Sequence, residues 1–177
     1  GINPEYSSGT FVAIRQFIEF TKNRRASFFE NDGSVDKKIG HVDLTEPYCG
    51  RLIDVFKAAG EAIGLEIKDG ATYACMEGPR YESSAEIKML RTLGADLVAH
   101  TSYPEQTLAR EAEMCYASMG IVANMAAGMA DEHLTTTDVK DNMAKVFDTV
   151  QALLVKAVEL VEDDDCWCKH ALEDSYA

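Results

Sequence analysis

Short apolar runs alternate along the chain with segments whose apolar residues recur at helical spacing, and this alternation constrains the fold more than any other feature. Strands that alternate with helices are typical of an α/β domain. We therefore expect a mixed, mostly parallel sheet flanked by helices. The predicted strands cover residues 11–14 with 16–20, 72–75, 96–100 and 116–124, and the predicted helices cover 48–63, 83–94, 104–114 and 135–160.

Local signals mark the ends of several of these elements. Gly64 follows the first helix as a residue that tolerates positive φ, and Ser83 with Glu86 forms a capping box at the start of the second. Thr135 is expected to cap the final helix. The polar stretch 21–40 carries turn signals and is predicted to be a loop, whereas the run 116–124 is typical of a central strand.

Polar or glycine-bearing segments follow three of the predicted strands, at residues 77–82, 100–102 and 124–128. In α/β sheets, ligands bind outside the carboxyl ends of the strands. We therefore expect these three segments to line one pocket. The pattern alone predicts a fold class and a site, but no reaction.

The charge of the chain restricts its partners. Thirty acidic residues against 17 Lys and Arg give a formal net charge of −13, which disfavours nucleic acid and anionic membrane partners. A small anion such as phosphate remains compatible, because a local group of donors outweighs the global field. No apolar run reaches the ~20 residues of a membrane span, and the first residues do not resemble a signal peptide. We expect a cytoplasmic protein.

Several long motifs, in order, resemble the purine nucleoside phosphorylase and methylthioadenosine phosphorylase family. The most specific is Glu77-Gly-Pro-Arg-Tyr-Glu-Ser-Ser-Ala-Glu86. The resemblance runs from Gly1 to about Leu160 and implies the nucleoside phosphorylase fold. The other matching segments are 16–21, 41–49, 93–98, 101–112 and 115–118.

The resemblance also implies that the N-terminal third of the family's domain, with its first strands, is absent. In the family that part holds phosphate, through a glycine-rich loop and an Arg-His pair. We expect residues 1–161 to form the C-terminal two-thirds of one nucleoside phosphorylase domain, followed by an acidic, cysteine-containing tail at 162–177. The missing part would then come from a companion chain, or have been cleaved away, or the chain would be a non-catalytic remnant.

The reaction that the resemblance implies is phosphorolysis. Phosphate attacks the anomeric carbon of a purine nucleoside, and the purine leaves as the sugar approaches an oxocarbenium ion. Inorganic phosphate is a co-substrate, and no cofactor is expected. The protein must hold phosphate against the sugar and stabilise the charge that develops on the departing base.

Two adjacent residues are expected to bind the base. Tyr81 matches the aromatic residue that stacks on the purine in the family, although a core aromatic is the alternative. Glu82 matches the Glu of 6-oxopurine members, in which it accepts a hydrogen bond from N1–H. An ionised carboxylate only accepts, so it fits an oxopurine rather than adenine. A helix N-terminal carboxylate is the structural alternative for Glu82.

Asn124 and Ala126 are the second indication of an oxopurine base. Adenine-specific relatives have an Asp pair at these two positions, whereas oxopurine members have the residues found here. A carboxamide donates to O6 or N7 of the purine, which an ionised carboxylate cannot do. We expect Asn124 and Glu82 to act as the catalytic residues. A turn role for Asn124 is the alternative.

Three further residues match positions around the sugar and the phosphate. Thr101 is expected to contact phosphate through its hydroxyl and backbone. His100 stands where the family usually has Met and is expected to contact the ribose, with a structural role as the alternative. His41 matches a His that reaches the 5′ end of the substrate from a neighbouring subunit, which implies a homotrimer or a multiple of trimers.

The five cysteines are odd in number and scattered, which argues against a disulfide scaffold. Cys49 and Cys115 match paired cysteines of thermophilic relatives, but buried free thiols are the expectation in a cytosolic protein. Cys166, Cys168 and His170 lack a fourth ligand for zinc. We therefore predict a mobile acidic tail and no metal site.

Two other functions remain open. A phosphorylase for methylthioadenosine or methylthioinosine is the first, because His41 favours a thionucleoside, and methylthioinosine satisfies Glu82 and Asn124 as well. A nucleoside-binding remnant without catalysis is the second.

Overall fold

A four-stranded mixed sheet lies at the centre of the computed structural model, which describes residues 1–29, 40–129 and 135–176. The strand order is β3-β2-β1-β4. β1 pairs parallel with β2, β2 pairs parallel with β3, and β4 pairs antiparallel with β1. The predicted mixed, mostly parallel sheet is confirmed. The strands are β1 (Phe11–Glu19), β2 (Ile67–Cys75), β3 (Leu97–Ala99) and β4 (Met119–Ile121).

Four α-helices and one short 3-10 helix accompany the sheet in the described residues, and each α-helix lies where the sequence predicts one. Among these helices, none combines the length and the apolar character needed to cross a bilayer. They are α1 (Gly50–Ala62), α2 (Ser84–Thr92), α3 (Glu105–Glu111), α4 (Thr136–Leu160) and the 3-10 helix Trp167–His170.

The local signals act as expected. Ser83 and Glu86 form both halves of the capping box of α2, and Gly64 follows α1 with a φ of 73°. Thr135 accepts a hydrogen bond from the backbone N–H of Asp138 at the start of α4. Residues 21–29 form no helix or strand, in agreement with the predicted loop, and positions 30–39 of that prediction lie outside the described residues.

The prediction of a central strand over 116–124 is wrong. β4 has three residues and pairs with the beginning of β1, so it is an edge strand among the strands that the structure describes. The apolar character of the run has another cause, because Val122 is buried in the main core cluster without belonging to a strand.

Helices cover both faces of the sheet. Ala74 of β2 packs in one cluster with Ile87 and Leu90 of α2, whereas its neighbours Tyr73 and Cys75 pack in another with Ile53 of α1. Successive side chains of a strand point to opposite faces, so α1 and α2 lie on opposite sides of β2. A third cluster joins the start of β1 to α1 and α4 through Phe11, Ala59, Leu153 and Ala157.

The C-terminal segment packs against the rest of the chain, so the prediction of a mobile tail is wrong. Cys168 and Ala171 are buried. The Arg110 guanidinium lies 4.2 Å from the centre of the Trp167 ring. The backbone N–H of Leu172 donates to Glu113 Oε1 at 3.2 Å. Residues 166–176 are therefore part of the folded body.

Gly60 tests how tightly α1 packs on the sheet. A Cβ at this buried position would lie 2.8 Å from the backbone O of Leu65 and 2.8 Å from Ile67 Cδ1. Gly60→Ala raises helix propensity by about 1 kcal/mol, but we expect a net loss of about 1–3 kcal/mol because of overpacking. Gly50→Ala is the matched control, since its nearest neighbour would be Arg15 Nη1 at 3.5 Å. Denaturant unfolding measures both, and equal stability of the two variants would contradict this packing.

Asp69 of β2 links three elements through charge. It accepts hydrogen bonds from Arg15 Nε at 2.7 Å and Lys57 Nζ at 3.0 Å, and the bond from Arg15 holds the pKa of Asp69 well below its usual range. A depressed pKa adds stability above the unfolded-state pKa of about 4, and that stability is lost as the pH falls. Asp69→Asn should therefore cost about 0.5–1 kcal/mol at pH 7. The cost should shrink as unfolding is measured at progressively lower pH below 4.

Candidate active site

A cavity of about 380 Å³ lies where the three predicted segments meet. Its volume is in the range of small-molecule sites. Leu97, Met119 and Val122 contribute to an apolar part of its lining. The predicted convergence of the three segments is confirmed, and the polar lining includes most of the residues singled out from the sequence: Tyr81, Glu82, His100, Thr101 and Asn124.

Glu82 and His100 form a direct pair in this cavity. Oε1 of Glu82 lies 3.0 Å from Nε2 of His100, and the Glu82 side chain is only 9% exposed. The sequence analysis assigned these two residues to different parts of the substrate and missed the pair, because no local pattern relates positions 18 apart. Within the described part of the chain, the pair leaves Oε2 of Glu82 for a ligand, since the contact with His100 uses the other oxygen.

Two residues that the sequence analysis missed hold His100 in place. Arg24 donates hydrogen bonds to the backbone carbonyls of His100 and Tyr103, the latter at 2.7 Å. Gly78 has a φ of 73°, and a Cβ at this position would lie 2.8 Å from His100 Nδ1. A side chain at position 78 would displace the imidazole. The Glu77-Gly-Pro motif is the sequence signal from which a role for Gly78 could have been predicted.

The capping box of α2 positions Tyr81 and Glu82 at the cavity. Glu86 Oε2 accepts from the backbone N–H of Ser83 at 2.7 Å, and both carboxylate oxygens of Glu86 accept from Arg80 at 2.8 Å. The bond from Arg80 lowers the pKa of Glu86 to about 2. Tyr81 lines the cavity and is 44% exposed, so part of its side chain is accessible to a ligand.

Asn124 is held by the backbone around it. Its Nδ2 donates to the carbonyl of Met125 at 2.7 Å, and its own carbonyl accepts from the Gly1 nitrogen at 2.6 Å. The N–H of Ala126 donates to the Gly1 carbonyl at 2.7 Å, and Ala126 is buried. An amide nitrogen carries two hydrogens, so, as far as the described residues go, Asn124 keeps one N–H and its Oδ1 for a ligand.

The charge of the cavity favours a neutral ligand group over a dianion. Among the residues described, its lining includes no Lys or Arg. Thr101 lines it with an exposed hydroxyl-bearing side chain. Burial raises the pKa of Tyr73, which keeps this phenol neutral. Apart from the His100 imidazole and the Gly1 amine, the described lining thus offers neutral donors and acceptors and the Glu82 carboxylate.

His41 is not brought to this cavity. It is exposed, it does not line the cavity of its own chain, and its backbone N–H donates to the Ser175 carbonyl at 2.8 Å. The expectation that His41 reaches a neighbouring subunit stays a prediction.

Comparison with known sequences identifies relatives along most of the chain. A probable 6-oxopurine nucleoside phosphorylase of Thermococcus kodakarensis is 45% identical over 97% of this chain and 66% of its own length. A 6-oxopurine nucleoside phosphorylase of Pyrococcus furiosus is 41% identical with the same coverage. A probable S-methyl-5′-thioinosine phosphorylase of Methanopyrus kandleri is 41% identical over 96% of this chain and 64% of its own length. The chain therefore spans just under two thirds of these relatives.

Solved structures agree in fold. A methylthioadenosine phosphorylase from Schistosoma mansoni in complex with adenine superposes with a TM-score of 0.91 at 24% identity, over 99% of this chain and 69% of that one. A methylthioadenosine phosphorylase from an antarctic soil metagenomic library superposes with a TM-score of 0.89 at 26% identity, over 99% of this chain and 62% of that one. The family pattern described as the phosphorylase superfamily matches residues 1–159. With that match over most of its length, and with relatives above 40% identity, the chain belongs to the phosphorylase superfamily.

Proposed function

We propose that this chain forms the base-binding part of an enzyme that phosphorolyses purine nucleosides, with a preference for 6-oxopurines. The products are the free base and a ribose or thioribose 1-phosphate, so the role is purine salvage. The observation that carries the proposal is the Glu82 carboxylate, nearly buried in the cavity wall with one oxygen free of the His100 contact. Inorganic phosphate is the co-substrate, and the reaction needs no cofactor.

Base recognition in this proposal uses the atoms of Glu82 and Asn124 that have no partner among the described residues. Oε2 of Glu82 accepts from N1–H of hypoxanthine or guanine. Adenine has a bare N1, which would leave the carboxylate facing another acceptor, and an unmatched buried polar group gives strong discrimination. The remaining N–H of Asn124 donates to O6 or N7. Tyr81 stacks on the base at the cavity mouth.

Catalysis in this proposal consists of stabilising the departing purine. Phosphate oxygen forms the new bond to C1′ as the C1′–N9 bond breaks, and the electron pair of that bond stays on the purine. The N–H of Asn124 strengthens its hydrogen bond as negative charge develops on the base, which lowers the barrier. The bond from Asn124 Nδ2 to the Met125 carbonyl fixes the amide before the reaction.

In this proposal, the chain contributes fewer residues to binding phosphate than to binding the base. Thr101 is the phosphate contact we propose, and the lining described carries no Lys or Arg to offset a dianion. We infer that cationic residues beyond the described lining complete the site, for which a longer chain or a separate N-terminal chain is the proposed source. A nucleoside-binding remnant is the alternative if nothing supplies them.

The assembly that we propose is a homotrimer, or a multiple of trimers, in the cytoplasm. His41 is exposed and away from the cavity of its own chain, as expected of a residue that contacts the 5′ group in a neighbouring subunit. Molar mass by light scattering tests the trimer.

Methylthioinosine phosphorolysis is the second candidate. The relatives include probable S-methyl-5′-thioinosine phosphorylases at 39–41% identity as well as 6-oxopurine nucleoside phosphorylases. Both names imply the same oxopurine base, so they differ only in the 5′ substituent. The base-binding residues Glu82 and Asn124 fit either substrate.

The deciding experiment measures phosphate-dependent base release from inosine, methylthioinosine and methylthioadenosine, together with hypoxanthine and adenine binding by calorimetry. Hypoxanthine release with methylthioadenosine inert is the expected result. Rapid adenine release would overturn the oxopurine assignment. Hypoxanthine binding without turnover would support the base site and favour the remnant over the enzyme for this chain.

Glu82→Gln tests the carboxylate. The loss of a hydrogen bond to a charged acceptor should weaken hypoxanthine binding by roughly 10- to 100-fold, or about 1.5–3 kcal/mol. Glu61→Gln removes the same charge from the exposed surface of α1 and serves as the control. Calorimetry with hypoxanthine measures both, and an equal effect of the two substitutions would mean that Glu82 acts only through net charge.

His100→Ala tests whether His100 positions Glu82. If it does, hypoxanthine alone should bind about 2- to 10-fold more weakly, since one hydrogen bond is worth about 0.5–1.5 kcal/mol. The loss should disappear when Glu82 is already Gln, because residues that share one interaction are not additive. A loss confined to inosine, with hypoxanthine binding unchanged, would instead place His100 on the sugar alone.

A further inference from the structure

Four of the five cysteines meet at one point outside the candidate active site. The Sγ atoms of Cys49, Cys115, Cys166 and Cys168 all lie within 4.8 Å of one another. They come from three distant stretches: the residue before α1, the stretch after α3, and the C-terminal segment. None of the four lines the cavity described above.

The spacing of these sulfurs matches one shared centre. Four thiolates around zinc at about 2.3 Å form a tetrahedron whose edges are about 3.8 Å long. No separation here exceeds that edge by more than roughly 1 Å, and the Cys115–Cys166 contact at 3.1 Å is shorter than the edge. Shifts within side-chain freedom therefore close all four sulfurs on a single ion.

Two cationic side chains lie beside the cluster, and Cys49 is the N-cap residue of α1. Nη2 of Arg51 lies 3.7 Å from Cys115 Sγ, and the Arg110 guanidinium stacks on Trp167, between the two cysteines of the tail. A zinc ion with four thiolates carries a net charge of −2, which these two guanidinium groups offset. Groups that donate hydrogen bonds to the ligating sulfurs are usual around such centres.

We propose that Cys49, Cys115, Cys166 and Cys168 bind one zinc ion in a closed, structural site. Four protein ligands leave no open position, so the ion has no catalytic role. Binding replaces four S–H protons by Zn²⁺ with no change of oxidation state. The site fastens the C-terminal segment to the start of α1, since two of its ligands lie in that segment.

This set differs from the one considered in the sequence. His170 is not part of it, because its Nδ1 lies 2.8 Å from Glu173 Oε1 and its Nε2 lies 3.1 Å from Asp165 Oδ1. The missing ligands are Cys49 and Cys115, which are more than 45 positions from Cys166 in the sequence. In the sequence, Cys166, Cys168 and His170 have no fourth ligand, so no zinc site is predicted. The fold adds Cys49 and Cys115 to Cys166 and Cys168.

The test measures metal content of the 177-residue chain purified under reducing conditions with zinc present. One zinc per chain by native mass spectrometry is expected, and Co²⁺ in its place should give the visible bands of tetrahedral cobalt thiolate. Cys166→Ser and Cys168→Ser should each lower zinc affinity by at least 100-fold. Cys75→Ser removes the buried cysteine outside the cluster, and His170→Ala removes the nearby imidazole, so both should keep one zinc.

A second measurement keeps the proposal testable if a variant folds poorly. Removing zinc from the unaltered chain with a chelator should increase amide exchange across residues 162–176 by at least tenfold and leave β1 and β2 protected. Five free thiols without bound zinc would overturn the proposal. So would a mass lowered by disulfide formation in the zinc-loaded, reduced preparation, or an equal loss of zinc in Cys75→Ser.

Discussion

The parallel pairing of β1 with β2 is the constraint on which the rest of the described structure depends. It runs from Phe11 to Glu19 and continues past the strand end, where the N–H of Phe20 donates to the Cys75 carbonyl at 2.9 Å. The N–H of Met76 then donates to the Ala99 carbonyl at 2.9 Å. Because of these bonds, residues 77–82 and 100–102 leave β2 and β3 next to each other, at the same edge of the sheet. The meeting of Glu82 with His100 is thus a consequence of strand register.

What the sequence predicts well depends on short-range physics. The capping box of Ser83 and Glu86 specifies the start of α2 within four residues, and the structure contains both of its hydrogen bonds. The placement of the segments after β2 and β3 follows from the α/β pattern, which puts the carboxyl ends of parallel strands at one edge. The pattern does not explain the segment 124–128, because it follows β4, which is antiparallel to β1. The prediction of a mobile tail is wrong for the opposite reason. An acidic composition is typical of a solvated segment, but contacts with distant residues bury Cys168 and Ala171.

The pairs that matter most in the site lie beyond any local pattern. Glu82 and His100 are 18 positions apart, and Arg24 reaches the His100 carbonyl from 76 positions away. The edge position of β4 is also a long-range outcome. Apolar character predicts burial, but only strand pairing decides whether a buried run lies at the centre or the edge of a sheet.

The charge of the cavity bears on how the proposed function would divide one site between a neutral base and an anionic co-substrate. A carboxylate such as Glu82 repels phosphate, and the repulsion is stronger where water is excluded. In that proposal the phosphate and the cationic groups that hold it lie away from Glu82, while the N–H of an oxopurine turns toward the carboxylate. The net charge of −13 is compatible with such a base site, because a neutral ring would be held by hydrogen bonds rather than by opposite charge.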